Sequence, residues 1–215
     1  MAERARVLPL FPLEQVVLFP GMSLPLRIFE ERYKVMIGAC QVTDQIFGVQ
    51  LIRTGREVGA PAEPEQIGCT ARLHRLERLP DGQMFILTMG EQRFRLSQPA
   101  RVMPEGYLVG DVEMLVDAPA GEVEPELMAS VTEEFGKYQA ASLARQGRTD
   151  RKPPALPTEP TALSYRVGSM LHVEPRELQP LLELNDVAER LRQELALLKR
   201  ENRLESQTIG PFSMN

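Results

Sequence analysis

Residues 8 to 33 read LPLFPLEQVVLFPGMSLPLRIFEERY, and the prolines at 9, 12, 20 and 25 decide what this stretch can become. Proline fixes φ and offers no backbone donor, so these positions are expected at strand starts, edges or turns. The apolar runs between them suit only short strands meeting at sharp corners, as in a small, strongly bent β structure. Gly21 follows Pro20 and gives the freedom for a left-handed turn into the next strand. From Glu30 the pattern changes. Tyr33, Met36, Ile37 and Cys40 recur at helical spacing, which predicts one helix over Glu30 to Cys40.

Further along, Ile46 to Ile52 reads as a buried strand, and Thr54 to Gln66, rich in Gly, Pro and Glu, as a loop. Gly68 to Leu79 and Gln83 to Met89 flank Pro80-Asp81-Gly82. Proline presets the first turn position and glycine accepts φ > 0, so a hairpin is predicted there. Gly90 to Leu96 is read as a further strand after a glycine break, and Tyr107 to Val116 as the last. The pattern then turns helical. Val123, Leu127, Val131, Phe135 and Tyr138 share one face. Polar, proline-rich Gln146 to Glu159 is an expected exposed loop. Helices are predicted over Thr161 to Leu171 and Glu174 to Leu184, the latter with Pro175 suited to its first turn. Asp186 with Glu189 resembles a capping box and opens a last helix with Val187, Leu191, Leu195 and Leu198 on one stripe. The class is α+β, with a β domain over residues 1–117, a helical bundle over 118–207 and a tail over 208–215.

Composition narrows the function. Of 215 residues, 25 are Lys or Arg and 30 are Asp or Glu, for a net charge of −5, and neither half carries the basic excess of a nucleic-acid binder. No stretch approaches the ~20 apolar residues of a membrane span. The N-terminus has acids and prolines where a signal peptide needs an unbroken apolar core, so a cytoplasmic location is expected. Cys40 and Cys69, the two cysteines, are read as reduced, partly buried thiols.

Catalytic motifs fail one by one. Gly136-Lys137-Tyr138 lacks the first glycine and the metal-binding hydroxyl of a phosphate-binding loop, and lies in a predicted helix. His172-Val173-Glu174-Pro175 matches the HxE of zinc deaminases, but no cysteine pair follows to hold the zinc. Cys40, Cys69, His74 and His172 have no zinc-motif spacing, so neither a metal nor a cofactor is expected. Ser169 lies in a helical pattern rather than on a nucleophile elbow. The carboxylate pairs Glu30-Glu31 and Glu133-Glu134 read as solvated helix faces. Arg72, Arg75, Arg78, Arg93 and Arg95 are the best case for nucleic acid. Glu77 and Glu91 interrupt them and no aromatic stacking platform accompanies them, so a solvated strand face is expected.

Several segments resemble, in order and spacing, the N-terminal domain of the Lon protease family. Pro20-Gly21-Met22, Leu24-Pro25-Leu26 and Phe29-Glu30-Glu31-Arg32-Tyr33 resemble its strand-turn-helix entry. Phe47-Gly48-Val49, Ile67-Gly68-Cys69-Thr70-Ala71, Pro80-Asp81-Gly82 and Gly90-Glu91-Gln92-Arg93-Phe94-Arg95 resemble its successive strands and hairpin. Leu181-Leu182-Glu183 and Glu189-Arg190-Leu191 resemble its closing helical stretch. The resemblance covers roughly residues 7 to 200. It implies a PUA-like β pseudo-barrel followed by a C-terminal α-helical bundle. It also implies a non-enzymatic, stand-alone substrate-binding module with no catalytic residues to carry over, since the ATPase and Ser-Lys protease of full Lon proteases have no counterparts in these residues. The implied partners are unfolded or flexible polypeptides, with a separate protease or chaperone as a further candidate.

The candidate peptide-binding residues are Met22, Phe29, Arg32, Tyr33 and Met36, an apolar, methionine-bearing surface on the β entry and first helix. Residues at this spacing on a short helix also suit a core, and Arg32 is expected to be the most exposed of the group. The alternative is RNA binding, by analogy with other PUA-like folds. An enzyme with dispersed catalytic residues, built on His74 or His172 with a carboxylate, is a third reading. Oligomeric state stays open.

Overall fold

The computed structural model describes residues 6–59, 62–118, 123–148 and 155–208. The proline-rich opening forms two strands, β1 (Arg6–Leu13) and β2 (Ser23–Ile28). Pro25 sits on β2, an edge strand, where a missing donor is tolerated. Pro9 and Pro12 depart from the expectation, because β1 lies between two neighbours. Its first part pairs antiparallel with β8 and its last part parallel with β3. Pro9 is in register only with Val109 and Pro12 only with Gln50, so each has a ladder partner on one side alone.

Helix α1 (Glu31–Gln41) follows, burying Tyr33, Met36, Ile37 and Cys40 as the spacing predicted. Thr43 ends it, its hydroxyl donating to the carbonyls of Ala39 and Cys40 at 3.2 Å each. Then come β3 (Ile46–Thr54), the two-residue β4 (Glu63–Pro64) inside the expected loop, and the long β5 (Ile67–Arg78) and β6 (Met84–Leu96). The hairpin between β5 and β6 is the predicted one. Gly82 has φ +77°, and Asp81 Oδ1 accepts from Gln83 N at 3.0 Å. Gly90 does not break the strand as expected. β6 runs through it, and the ladder to β5 shifts register beside it, between Cys69 and Ala71. The two-residue β7 (Arg101–Val102) was not foreseen, and β8 (Leu108–Met114) closes the β part.

The expected pseudo-barrel is corrected. Among the described residues the strands form one eight-stranded mixed sheet in the order β2-β6-β5-β3-β1-β8-β7, with β4 attached to β3. The sheet is not a barrel, because it ends in two edge strands, β2 and β7. The far end of β6 also pairs with β8 over Phe94 to Leu96. The pseudo-barrel was implied by the family resemblance; the short strands and corners in the sequence suit either architecture, and which strands pair is fixed by long-range register.

One core lies where α1 meets the sheet and includes Phe11, Leu18, Ile28, Tyr33, Met36, Phe47 and Ile86. A second cluster joins Leu8, Leu10, Ile46, Phe94, Leu108 and Val112. Each fully buried side chain of this size contributes about 1.5–3 kcal/mol.

The helices are α2 (Pro125–Arg145), α3 (Pro160–Gly168), α4 (Pro175–Glu183) and α5 (Val187–Thr208). Pro125 and Pro160 open α2 and α3 at a position where no donor is needed. Glu159 caps α3 by accepting from Thr161 N and Ala162 N, and Asp186 Oδ1 accepts from Glu189 N at 3.1 Å, as the capping box predicted. Residues 149–154 of the expected loop and 209–215 of the expected tail lie outside the described residues.

The chain forms two compact units. One takes the residues through Val116 together with His172–Glu183; the other takes Asp117–Leu171 and the residues from Leu184 on. Helix α4 thus groups with the sheet. Gln179 Nε2 donates to Ile67 O at 3.0 Å, and Arg93 Nη1 to Leu182 O at 2.7 Å. Arg93, expected on a solvated face, is 1% exposed. In the second unit Leu127, Val131, Phe135, Leu163, Leu191 and Leu198 are buried. So is a polar cluster: Arg190 donates through Nε to Ser164 Oγ at 2.7 Å and through Nη1 to Leu184 O at 2.9 Å, and pairs with Asp117 at 3.3 Å. Its guanidinium stacks 4.3 Å from the Tyr165 ring centroid.

Candidate functional site

The corner between β2 and α1 holds the candidate residues. Ile28 ends β2 in the core, so the next side chain, Phe29, points the other way and stands 50% exposed. Beneath it Tyr33, buried on the core face of α1, packs on Phe11 with ring centroids 4.2 Å apart. Burial pushes the Tyr33 phenol up to about 12, against the opposing pull of the Arg32 guanidinium. Phe11, Leu26, Phe29 and Tyr33 line a small cleft of about 40 Å³, and Glu57 closes one side.

Arg32 frames this cleft and is not the exposed member of the group. Its side chain is only 11% accessible. Nε donates to Glu30 Oε2 at 3.0 Å, Nη2 donates to Glu57 O at 2.9 Å, and the guanidinium lies 4.5 Å from the Tyr33 ring centroid. Met36 is fully buried and Tyr33 is 4% exposed, so both build the floor and cannot themselves meet a partner at the surface. Met22 is partly buried against the same core. The structure therefore brings Phe29, Arg32 and Tyr33 together and leaves Met36 beneath them.

The loop expected over Thr54 to Gln66 brings Glu57 to this cleft, which sequence reasoning did not foresee. Residues 55–59 carry glycines with φ +101° (Gly55) and +99° (Gly59), and between them Val58 is 57% exposed. Glu57 and Glu14 exchange reciprocal bonds. Glu57 N donates to Glu14 Oε1 at 2.8 Å, and Glu14 N to Glu57 Oε2 at 3.1 Å. The two glycines were a visible signal, but the partners Glu14 and Arg32 are remote in sequence.

The other candidate chemistries find no site. Arg72 pairs with Glu91 and Arg75 with Glu77, and Arg93 is buried. Among the described residues no group of three or more His, Cys, Asp or Glu could hold a metal ion. Cys40 and Cys69 are free and buried, and burial pushes both thiols up, Cys40 to about 11. No helix among the described residues is long and apolar enough to cross a membrane.

The candidate site is thus a small cleft lined by Phe11, Leu26, Phe29 and Tyr33, carried by a mixed sheet and its first helix. A family model described as the ATP-dependent protease La (LON) substrate-binding domain matches residues 7–200, and the chain belongs to that family. The "Lon protease" of Roseiflexus castenholzii is 31% identical over 95% of this chain and 25% of that protein. "Lon protease 2" of Herpetosiphon aurantiacus is 30% identical over 93% of this chain and 25% of that protein. The chain thus spans about a quarter of the length of these relatives. The crystal structure of a Lon N-terminal domain protein from Xanthomonas campestris superposes with a TM-score of 0.66 at 30% identity, covering 89% of this chain and 98% of that one. The N-terminal domain of the Mycobacterium avium complex Lon protease gives 0.65 at 21% identity, which supports the fold alone.

Proposed function

We propose that this chain is a non-enzymatic module that binds unfolded or flexible polypeptides, and that it takes hold of them at the corner of β2 and α1. The observation that carries this reading is Phe29, half exposed over the Phe11–Tyr33 floor in a chain of a substrate-binding family. Phe29 is the contact, with Met22 beside the same core. Arg32 sets the frame, and Tyr33 and Met36 support it from below. An apolar site this small binds weakly, because a flexible chain loses entropy on ordering. The dissociation constant is micromolar or weaker, about −8 kcal/mol or less favourable. Salt has little effect, since the contacts are mostly apolar. In this reading the module works in the cytoplasm, and a separate protease or chaperone receives what it holds.

The test is a titration of a labelled, permanently unfolded polypeptide, followed by anisotropy. Phe29→Ser removes a surface ring without touching the core. It should weaken binding by about 1–2 kcal/mol, the loss expected of an interface aromatic. A folded Phe29→Ser variant that binds like wild type would misplace the surface. A structured RNA runs in parallel at low and high salt. Salt-dependent RNA binding without polypeptide binding would install RNA recognition in its place.

A further inference from the structure

The loop over the aromatic cleft is firmly held at its base and lightly held in its middle. At the base, β3 pairs with β4 through Thr54 and Glu63, Thr54 Oγ1 donates to Glu63 Oε2 at 2.8 Å, and Arg53 pairs with the same carboxylate. At the middle, three hydrogen bonds meet on Glu57. One comes from Arg32 to its carbonyl, and two are exchanged with Glu14, which is exposed. Between base and middle lie Gly55 and Gly59, both at positive φ, where glycine moves at least cost. The covered cleft is lined by Phe11, Leu26, Phe29 and Tyr33, and at about 40 Å³ it is too small for a side chain. Phe29, one of its walls, is 50% exposed, and Val58, next to Glu57 in the loop, is 57% exposed.

We propose that residues 55–59 form a hinged flap latched by Arg32, and that its opening lets the cleft between Phe11, Phe29 and Tyr33 take one aromatic side chain of a client polypeptide. This rests on the polypeptide-binding reading above and names the chemistry that reading selects. The occupant follows from the walls. Three rings and a leucine complement an apolar ring, while Arg27, Glu30 and Glu57 supply the polar part of the lining, the two glutamates being held by Arg32. The closed flap hides this surface when no client is present. Affinity is then reduced by the fraction of time the flap is open, so loosening the latch should strengthen binding.

The experiment uses a soluble Gly/Ser-rich peptide with one phenylalanine and a matched peptide with asparagine in its place. Arg32→Met removes the latch while keeping a long apolar stem over Tyr33. Glu14→Ala removes one flap bond from an exposed position and keeps the test open should Arg32→Met fold poorly. Both should bind the phenylalanine peptide at least about threefold more tightly than wild type, as a released closed state requires. Neither should gain for the asparagine peptide. Hydrogen exchange at the Glu57 amide should speed up in both variants without peptide. In wild type it should speed up on adding the phenylalanine peptide. Unchanged affinity in both folded variants, with unchanged exchange at Glu57, overturns the flap and leaves the polypeptide reading standing. If no variant binds peptide or unfolded polypeptide, the polypeptide reading falls and the flap with it.

Discussion

Gly90 is where strand β6 passes under the backbone of the Phe19 turn, and alanine there should break the crossing. A methyl at Gly90 would sit 2.2 Å from the carbonyl oxygen of Phe19 and 3.1 Å from its carbon. These are backbone atoms, and they are pinned. Met22 N donates to Phe19 O at 3.0 Å, Gly21 N to Gly90 O at 2.8 Å, and Gly90 N to Met22 O at 2.8 Å. Relief requires the turn to move by about 1 Å. Overpacking of this kind costs about 1–3 kcal/mol, and each strained or lost backbone bond adds about 1 kcal/mol. Gly90→Ala should therefore destabilise the sheet by about 3 kcal/mol, and lower its melting temperature by roughly 10 °C. Urea unfolding followed by circular dichroism measures it, with Gly136→Ala as the companion. Gly136 lies inside α2 with nothing within 4 Å of its Cβ position, so alanine there should stabilise by about 0.5–1 kcal/mol. A Gly90→Ala protein whose unfolding midpoint matches wild type would refute the reasoning, because the strand could then ride over Phe19 unaided.

Other outcomes follow from single sites. Gly21 has φ +77°, so Gly21→Val should cost about 1–3 kcal/mol in the same urea assay, and an unchanged midpoint would contradict the strained turn. Burial holds the Glu194 carboxyl well above its usual 4.5, opposed by its bond from Ser164 and the charge of Arg190. The folded state therefore keeps a proton that the unfolded chain releases near 4.5, so Glu194 costs stability progressively as pH rises above that value. Urea midpoints of Glu194→Gln should gain on wild type between pH 4 and pH 7, and a pH-independent difference would count against it. Cys40 and Cys69 should resist alkylation at pH 8 in the folded protein and react on unfolding, because burial disfavours both thiolates. Rapid labelling under native conditions would show that the core opens readily.

The local elements were legible because their signals are local. Proline punctuation located β1 and β2, helical spacing located α1, and Pro80-Asp81-Gly82 located the hairpin. What escaped depends on partners far away in sequence. In α5 the apolar stripe of Val187, Leu191, Leu195 and Leu198 was plain, yet the helix also buries Arg190 and Glu194, while Leu195 is only partly buried. Arg190 is tolerable inside because Asp117 and Ser164 meet it, and Glu194 because it keeps its proton and receives a bond from Ser164, and no periodicity reveals that. Arg93 was expected on a solvated strand face with the neighbouring arginines, but it is buried, and the carbonyl that accepts from it, Leu182 O, is remote in sequence. At the candidate site, spacing grouped Tyr33 and Met36 with Phe29, but it does not say which of them face water. The same 3.6-residue period that makes a binding face makes a core face.

Helix α4 has a consequence for how this module can be inherited. The chain leaves the sheet unit after Val116, builds α2 and α3 of the helical unit, and returns with His172–Glu183 before leaving again. A gene fragment ending near residue 117 would encode every strand, yet it would lack Leu182, whose carbonyl receives the buried Arg93 guanidinium. A buried charge stripped of such a partner is costly. No single crossover in the gene therefore frees a self-sufficient half. A cut near residue 117 thus severs the sheet unit from its own helix, and the family match, which spans residues 7–200, takes in both parts.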